Sequence, residues 1–312
     1  MQNPAQRVAL PVPQRVCFTL DEPNVCLLDK AEFALDDEPY APEQELLWAD
    51  NVLRAALGWP NRQGAVAQPW TVQEPKPEHT VRLRFTVHCA VDVPGVKLAL
   101  EDAEVACIRC NGVAVTAKPD GWYTDKSIGT VPVGMLLKGD NQIEVMLPFG
   151  RRTNVEWCYL LGNFGVHICG EYRELVPMQE YLGFDDVTRQ GLAHYCGNVT
   201  YHLPVETKGG DLSVTVPHYA GTAIRVEVDS QKGYIVYPPY SLEIKNLPAG
   251  KHTLRLTLLG NRENGFGPLH KADAQNAWIG PNAWRTTGSL WTESYRLKPL
   301  GLLSAPCVEE IL

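Results

Sequence analysis

From Thr80 onward, apolar and polar positions alternate with a period of two: Val81, Leu83, Phe85 and Val87 fall on one side, Arg82, Arg84 and Thr86 on the other. Successive side chains of an extended strand point to opposite faces, so this spacing predicts a strand with one buried face. The same grammar predicts strands at Val96–Leu100, Val105–Cys110, Gln142–Leu147 and Cys158–Ile168, with a turn at Gly139-Asp140-Asn141. It returns at Asn198–Pro204, Asp211–Val216, Ala223–Asp229, Leu242–Ile244 and Thr253–Leu259, and a last strand over Tyr295–Leu303 is expected to close the sheet. The two sets read as an internal repeat. Ile108-Arg109-Cys110-Asn111-Gly112 precedes Leu136 to Leu147 as Ile224 to Asp229 precedes Leu247 to Leu258, with loops of similar length between. Two copies of one all-β unit, each too long for a solenoid repeat, predict tandem β-sandwiches over 79–170 and 171–312.

Residues 1–78 have a different texture and read as a connector. Strands are expected at Arg15–Leu20 and around Val25–Leu28. A helix then opens at Pro42-Glu43-Gln44-Glu45 and runs over 43–57, with Leu46, Ala49, Leu53, Ala56 and Leu57 at helical spacing. Asp50 and Arg54 form an i,i+4 pair, and Gly58 with Pro60 stops the helix. Gln68 to Pro77, rich in proline, reads as an extended linker, and residues 260–290 as a long loop-like stretch.

The chain's 312 residues leave room for two cores, and 26 glycines with 24 prolines suit many short strands joined by turns. A net charge of −8 without a basic run disfavours nucleic acid and anionic membrane as partners. The amino terminus lacks the apolar core of a secretory signal, and no window approaches 18 apolar residues. Nine irregularly spaced cysteines then read as free thiols in a reducing compartment, and the expected location is the cytoplasm. Cys107 and Cys110 match C-x-x-C, but residues three apart on a strand point to opposite faces, which argues against a shared metal.

Asn111-Gly112 and Gly139 to Val145 resemble the "I-x-V-N-G … L-x-x-G-x-N-x-I-x-V" grammar of galactose-binding-like jelly rolls, as in the sugar-binding domains of family 2 β-galactosidases. Thr153 to Val166 is similar to an "N-L-E-A-x-Y-L-L-G-D-F-G-V" stretch in the carboxy-terminal parts of bacterial glycoside-hydrolase-like proteins that include relatives of α-L-rhamnosidases. Pro238 to Ile244 and Asn261 to His270 resemble the "P-P-Y-x-x-D-I … L-x-N-x-x-G-P-H-H" ending of those proteins. The resemblance covers residues 79–303. It implies two tandem jelly-roll sandwiches with an accessory role, carbohydrate or a catalytic glycosidase domain or subunit as partner, and no cofactor beyond a structural calcium. Asp92, Asp102 and Asp140 are calcium candidates by residue type. The catalytic barrel of such enzymes needs about 250 residues of alternating strands and helices, and no segment here has that pattern.

Sugar recognition needs flat apolar faces for pyranose C–H groups beside planar polar groups for hydroxyls. Two clusters have that composition. The first joins Trp122, Tyr123 and Asp125 with Arg152, Asn154, Glu156 and Trp157; the second joins Tyr240 with His270, Trp284 and Arg285. The plainer reading of each is packing, at the end of a sandwich or against a neighbouring domain. Asp125 and Glu156 are the carboxylates from which a glycosidase would be built, if they face one another at a suitable separation. Three functions follow: a non-catalytic carbohydrate-binding or structural region of a glycoside hydrolase acting on plant or host glycans, which is favoured; a glycosidase or its subunit; and a protein-interaction module.

Overall fold

The computed structural model describes residues 6–60, 76–153, 155–273 and 288–311. The protein is all-β, with antiparallel sheets predominating. It forms two compact units that interleave along the sequence. Unit I comprises Val25–Pro177 and Pro268–Arg296; unit II comprises Met1–Asn24, Met178–Gly267 and Leu297–Leu312.

One sheet of unit I orders Gly165–Cys169, Tyr172–Val176, His79–Cys89, Gly139–Phe149, Cys107–Cys110 and Val113–Ala114, with Lys30–Leu35 also paired to His79–Cys89 and Ala41–Glu45 beyond it. The other orders Gly121–Tyr123, Asp125–Leu136, Val93–Glu101, Cys158–Gly162 and Asn24–Leu28. The predicted alternation is realised: Val81, Leu83, Phe85 and Val87 are buried, and Arg82, Arg84 and Thr86 are not. Leu98, Ala99 and Leu100 are buried in succession, as in a strand covered on both faces.

In unit II a six-stranded sheet orders Tyr181–Gly183, Arg15–Leu20, Val199–Thr207, Gly250–Leu259, Ala223–Val228 and Gln231–Ile235. A four-stranded sheet orders Arg7–Ala9, Cys307–Ile311, Gly210–Thr215 and Ser241–Leu247. One apolar cluster joins them, with Val16, Leu203 and Leu256 from the first and Leu212, Val214, Ile244 and Val308 from the second.

Several boundaries differ from the sequence reading. Residues 41–45 form a strand, and the helix spans Leu46–Ala56, with Glu45 as its N-cap accepting the Trp48 amide at 2.9 Å. Cys158–Ile168 is two strands, broken at Asn163-Phe164. The strand expected at Tyr295–Leu303 reduces to Gly301–Leu302, because Pro299 has no N–H for a ladder. Cys307–Ile311 closes the sheet, with Val308 and Glu310 turned inward. The amino-terminal residues supply strands to both units. Residues 68–75 of the expected linker lie outside the described residues.

The nine cysteines are free. Cys107 is exposed and Cys110 buried, as their strand spacing requires. Burial pushes the Cys26 and Cys89 thiols up to about 11 and Cys158 to about 12, which leaves these three without nucleophilic thiolate at neutral pH. Among the described residues, no helix is long and apolar enough to cross a membrane.

Candidate functional site

Among the described residues, the members of the first expected cluster are spread across the sheet. Trp122 sits 56% exposed on the edge strand Gly121–Tyr123. Two strands separate it from the Cys158–Gly162 strand that follows Trp157. At ~4.8 Å per strand, that places the two backbones on the order of 14 Å apart. Tyr123 is buried, and its ring lies 5.2 Å from that of Tyr159, so it belongs to the core. Trp157 donates its indole N–H to Glu45 Oε1 at 2.7 Å, tying the strand to the helix N-cap. Burial raises the Glu45 carboxyl above the usual range, against hydrogen bonds from Trp157 and the helix amides that lower it.

Arg152 and Glu156 are half-buried, and Asn154 lies outside the described residues. The loop that carries them is held from below: Arg54 donates to the carbonyls of Arg151 at 2.8 Å and Thr153 at 2.6 Å. Its Nε donates to Asp50 at 2.7 Å, the i,i+4 pair read from the sequence, here fully buried.

Asp125 accepts from the Ser127 amide at 2.8 Å and the Ser127 hydroxyl at 2.7 Å. The backbone and hydroxyl bonds hold its carboxyl below the usual range, opposite to what a proton-donating glycosidase acid requires.

The second cluster divides between the units. Tyr240, at φ +56°, packs edge-on against Tyr219 at 5.8 Å in unit II, whereas His270 belongs to unit I. Trp284 and Arg285 lie outside the described residues. Of the calcium candidates, Asp92 accepts from the Lys138 amide at 2.7 Å, Asp140 pairs with His88 at 2.6 Å, and Asp102 adopts a left-handed turn conformation at φ +55°. Among the described residues no three His, Cys, Asp or Glu side chains are grouped to hold a metal ion.

A different site emerges around His270. Its Nε2 lies 2.9 Å from Asp29 Oδ2, and Nδ1 lies 2.9 Å from the Thr292 carbonyl, while Trp291 stacks on the ring at 4.5 Å. Asp29 Oδ1 accepts from Arg173 Nη1 at 2.7 Å and from the Tyr295 hydroxyl at 2.7 Å. Burial opposes ionisation of Asp29, but the His270 hydrogen bond, the Arg173 charge and the Tyr295 hydrogen bond outweigh it and hold the carboxyl well below the usual range.

Arg173 and Tyr295 of this group line a half-open cavity of about 260 Å³, together with Lys30, Thr86, His88, Tyr172, Glu43 and Glu171. The cations lie deep, with 9% of the Lys30 side chain and 11% of the Arg173 side chain exposed; Glu43, Glu171 and Tyr172 are exposed at the mouth. Tyr172 stacks on His88 at 5.1 Å. The sequence reading reached only His270 of this group. Asp29 meets Arg173 across 144 positions, His270 across 241 and Tyr295 across 266, and no local pattern marks such pairs.

A second, shallower depression of about 490 Å³ is lined mainly by apolar residues, among them Val113, Met135 and Leu137, and carries no charged side chain.

No family model matches the sequence, and no curated protein matches it. Similar solved structures include a GH2 β-galacturonidase from Eisenbergiella tayi, with 12% identity over 74% of this chain and 38% of that one, at a TM-score of 0.27. An exo-chitosanase from Amycolatopsis orientalis gives 10% identity over 76% and 29%, at 0.29. A β-glucuronidase from Ruminococcus gnavus gives 10% over 78% and 41%, also at 0.29. The chain therefore spans less than half the length of each of these proteins, and scores this low leave its function to be argued from its own residues.

Proposed function

We propose that the chain is a non-catalytic, carbohydrate-binding region of the galactose-binding-like jelly-roll type, an accessory to a glycoside hydrolase. The observation that carries this reading is the cavity lined by Lys30 and Arg173, where the exposed Tyr172 ring stands beside planar and charged hydrogen-bonding groups. An aromatic face takes the C–H side of a pyranose, and fixed donors and acceptors take its hydroxyls. At about 260 Å³ the cavity lies just below the roughly 300–1,000 Å³ of drug-sized pockets, which suits a single sugar ring or a glycan end better than an extended chain. The motifs at Asn111-Gly112, Gly139 to Val145 and Thr153 to Val166 support the same reading by resemblance. The free thiols are in keeping with a reducing compartment.

Saturation-transfer NMR with rhamnose, galactose and glucuronic acid tests it. At least one sugar is expected to receive saturation, and Tyr172→Ala is expected to abolish the transfer while the thermal unfolding midpoint is kept. Transfer to none of a broad monosaccharide panel would rule out sugar binding and leave a purely structural role.

A further inference from the structure

The cavity holds an arginine only half used. Nη1 of Arg173 donates to the Leu27 carbonyl at 2.6 Å, to Asp29 Oδ1 at 2.7 Å and to the Tyr295 hydroxyl oxygen at 2.6 Å. Nε and Nη2 have no hydrogen-bond partner among the described residues. The guanidinium is therefore locked by one nitrogen, while its Nε–Nη2 edge, two parallel N–H donors, is what remains for the cavity that Arg173 lines. That edge has the spacing of a carboxylate, and two-point pairing of this kind is stronger and more directional than a single-point contact.

Resting on the carbohydrate reading, we infer that the ligand is an acidic sugar whose carboxylate docks on the Nε–Nη2 edge of Arg173. Lys30 adds a second deep cation; its Nζ is paired with Glu293, whose side chain is 60% exposed. The mouth narrows the class further. Glu43 and Glu171 can only accept hydrogen bonds when ionised, so they need donors from the ligand and repel one that carries charge on every side. A uronic acid meets both demands, with one carboxylate for the arginine and several hydroxyls for the rim. Phosphate and sulfate meet only the first.

Isothermal titration of the intact chain with galacturonate, glucuronate, their methyl esters, galactose, acetate and inorganic phosphate tests this. The ester keeps the ring and hydroxyls and removes only the charge. The expected result is that one uronate binds at least 10-fold more tightly than its ester, that raising salt weakens it, and that Tyr172→Ala removes it. Equal affinity for acid and ester would overturn the inference and leave carbohydrate binding standing. Acetate or phosphate binding as tightly as the uronate would overturn it by showing a plain anion site. Uronate binding unchanged in Tyr172→Ala would overturn it by placing the ligand elsewhere. Binding of no saccharide would remove the carbohydrate reading and the inference together.

Discussion

Asp29 receives hydrogen bonds from Arg173 and Tyr295 and pairs with His270, and it is fully buried. A buried carboxylate with this many partners is stable only as a set, because removing one member strands the charge of another. Asp29→Asn keeps the shape but leaves the Arg173 charge uncompensated, so a loss of about 3 kcal/mol or more is expected in urea unfolding. The same residue gives a pH dependence of known sign. Its carboxyl is held below its unfolded value of about 3.9, so the stabilisation is present above that value and lost as the pH falls through the lower folded value. Wild-type urea midpoints should fall more steeply below about pH 4 than those of Asp29→Asn, since only the wild type has this carboxyl to protonate. Asp50 and Arg54, four positions apart, were visible in the sequence as a pair, but their burial was not. Spacing shows which side chains can meet along one helix; what comes to lie over them depends on segments about a hundred positions away.

At the scale of elements, the internal repeat is visible as a repeated strand order. His79–Cys89, Gly139–Phe149, Cys107–Cys110 and Val113–Ala114 run in the same sequence as Val199–Thr207, Gly250–Leu259, Ala223–Val228 and Gln231–Ile235. The motif residues occupy matching turns. Asn111, at φ +50°, donates from Nδ2 to Asn141 Oδ1 at 2.9 Å, and buried Asn141 donates to the Leu137 carbonyl at 2.7 Å. In unit II, Asp229, also at φ +50°, pairs with His252 at 2.9 Å, and His252 Nε2 lies 2.9 Å from the Pro248 carbonyl. An amide pair in one sandwich is replaced by an ion pair in the other.

Different responses follow from that exchange. Asn141→Ala leaves the Leu137 amide and carbonyl unpaired and should cost about 2 kcal/mol at any pH between 5 and 9, read by urea unfolding. Burial lowers the His252 value, but the Asp229 hydrogen bond, the Pro248 carbonyl and the Asp229 charge outweigh it and raise it overall. That contribution is present below about pH 6.5 and lost as the pH rises through the folded value, so wild type should lose stability toward pH 8.5. The double variant Asp229→Asn, His252→Asn should flatten this dependence. The turn motifs and the two-residue alternation were legible because they are local. The closing strand was misplaced because apolar residues at Tyr295–Leu303 mimic alternation, and Pro299 breaks the ladder.

At the scale of the whole molecule, strand pairing links distant parts of the chain. In unit II, Arg15–Leu20 lies inside the six-stranded sheet, between Tyr181–Gly183 and Val199–Thr207. A fragment of residues 178–312 lacks that strand and should not fold alone, as judged by amide dispersion in NMR. Adding a peptide of residues 1–24 should restore dispersion. Two sandwiches were legible as two alternating sets of strands; their interleaving was not, because a strand's partner is fixed by the completed sheet and not by its own sequence.

The pairing of Arg7–Ala9 with Cys307–Ile311 also bears on biosynthesis. Arg7 and its partner Glu309 are 302 positions apart. A ribosome adding about 5–20 residues per second needs ~15–60 s to span that distance. Throughout that time the earliest strand of the four-stranded sheet emerges without its neighbour. Unit II can therefore complete its four-stranded sheet only once Ile311 has been synthesised, whereas Val25 to Pro177, most of unit I, are made long before.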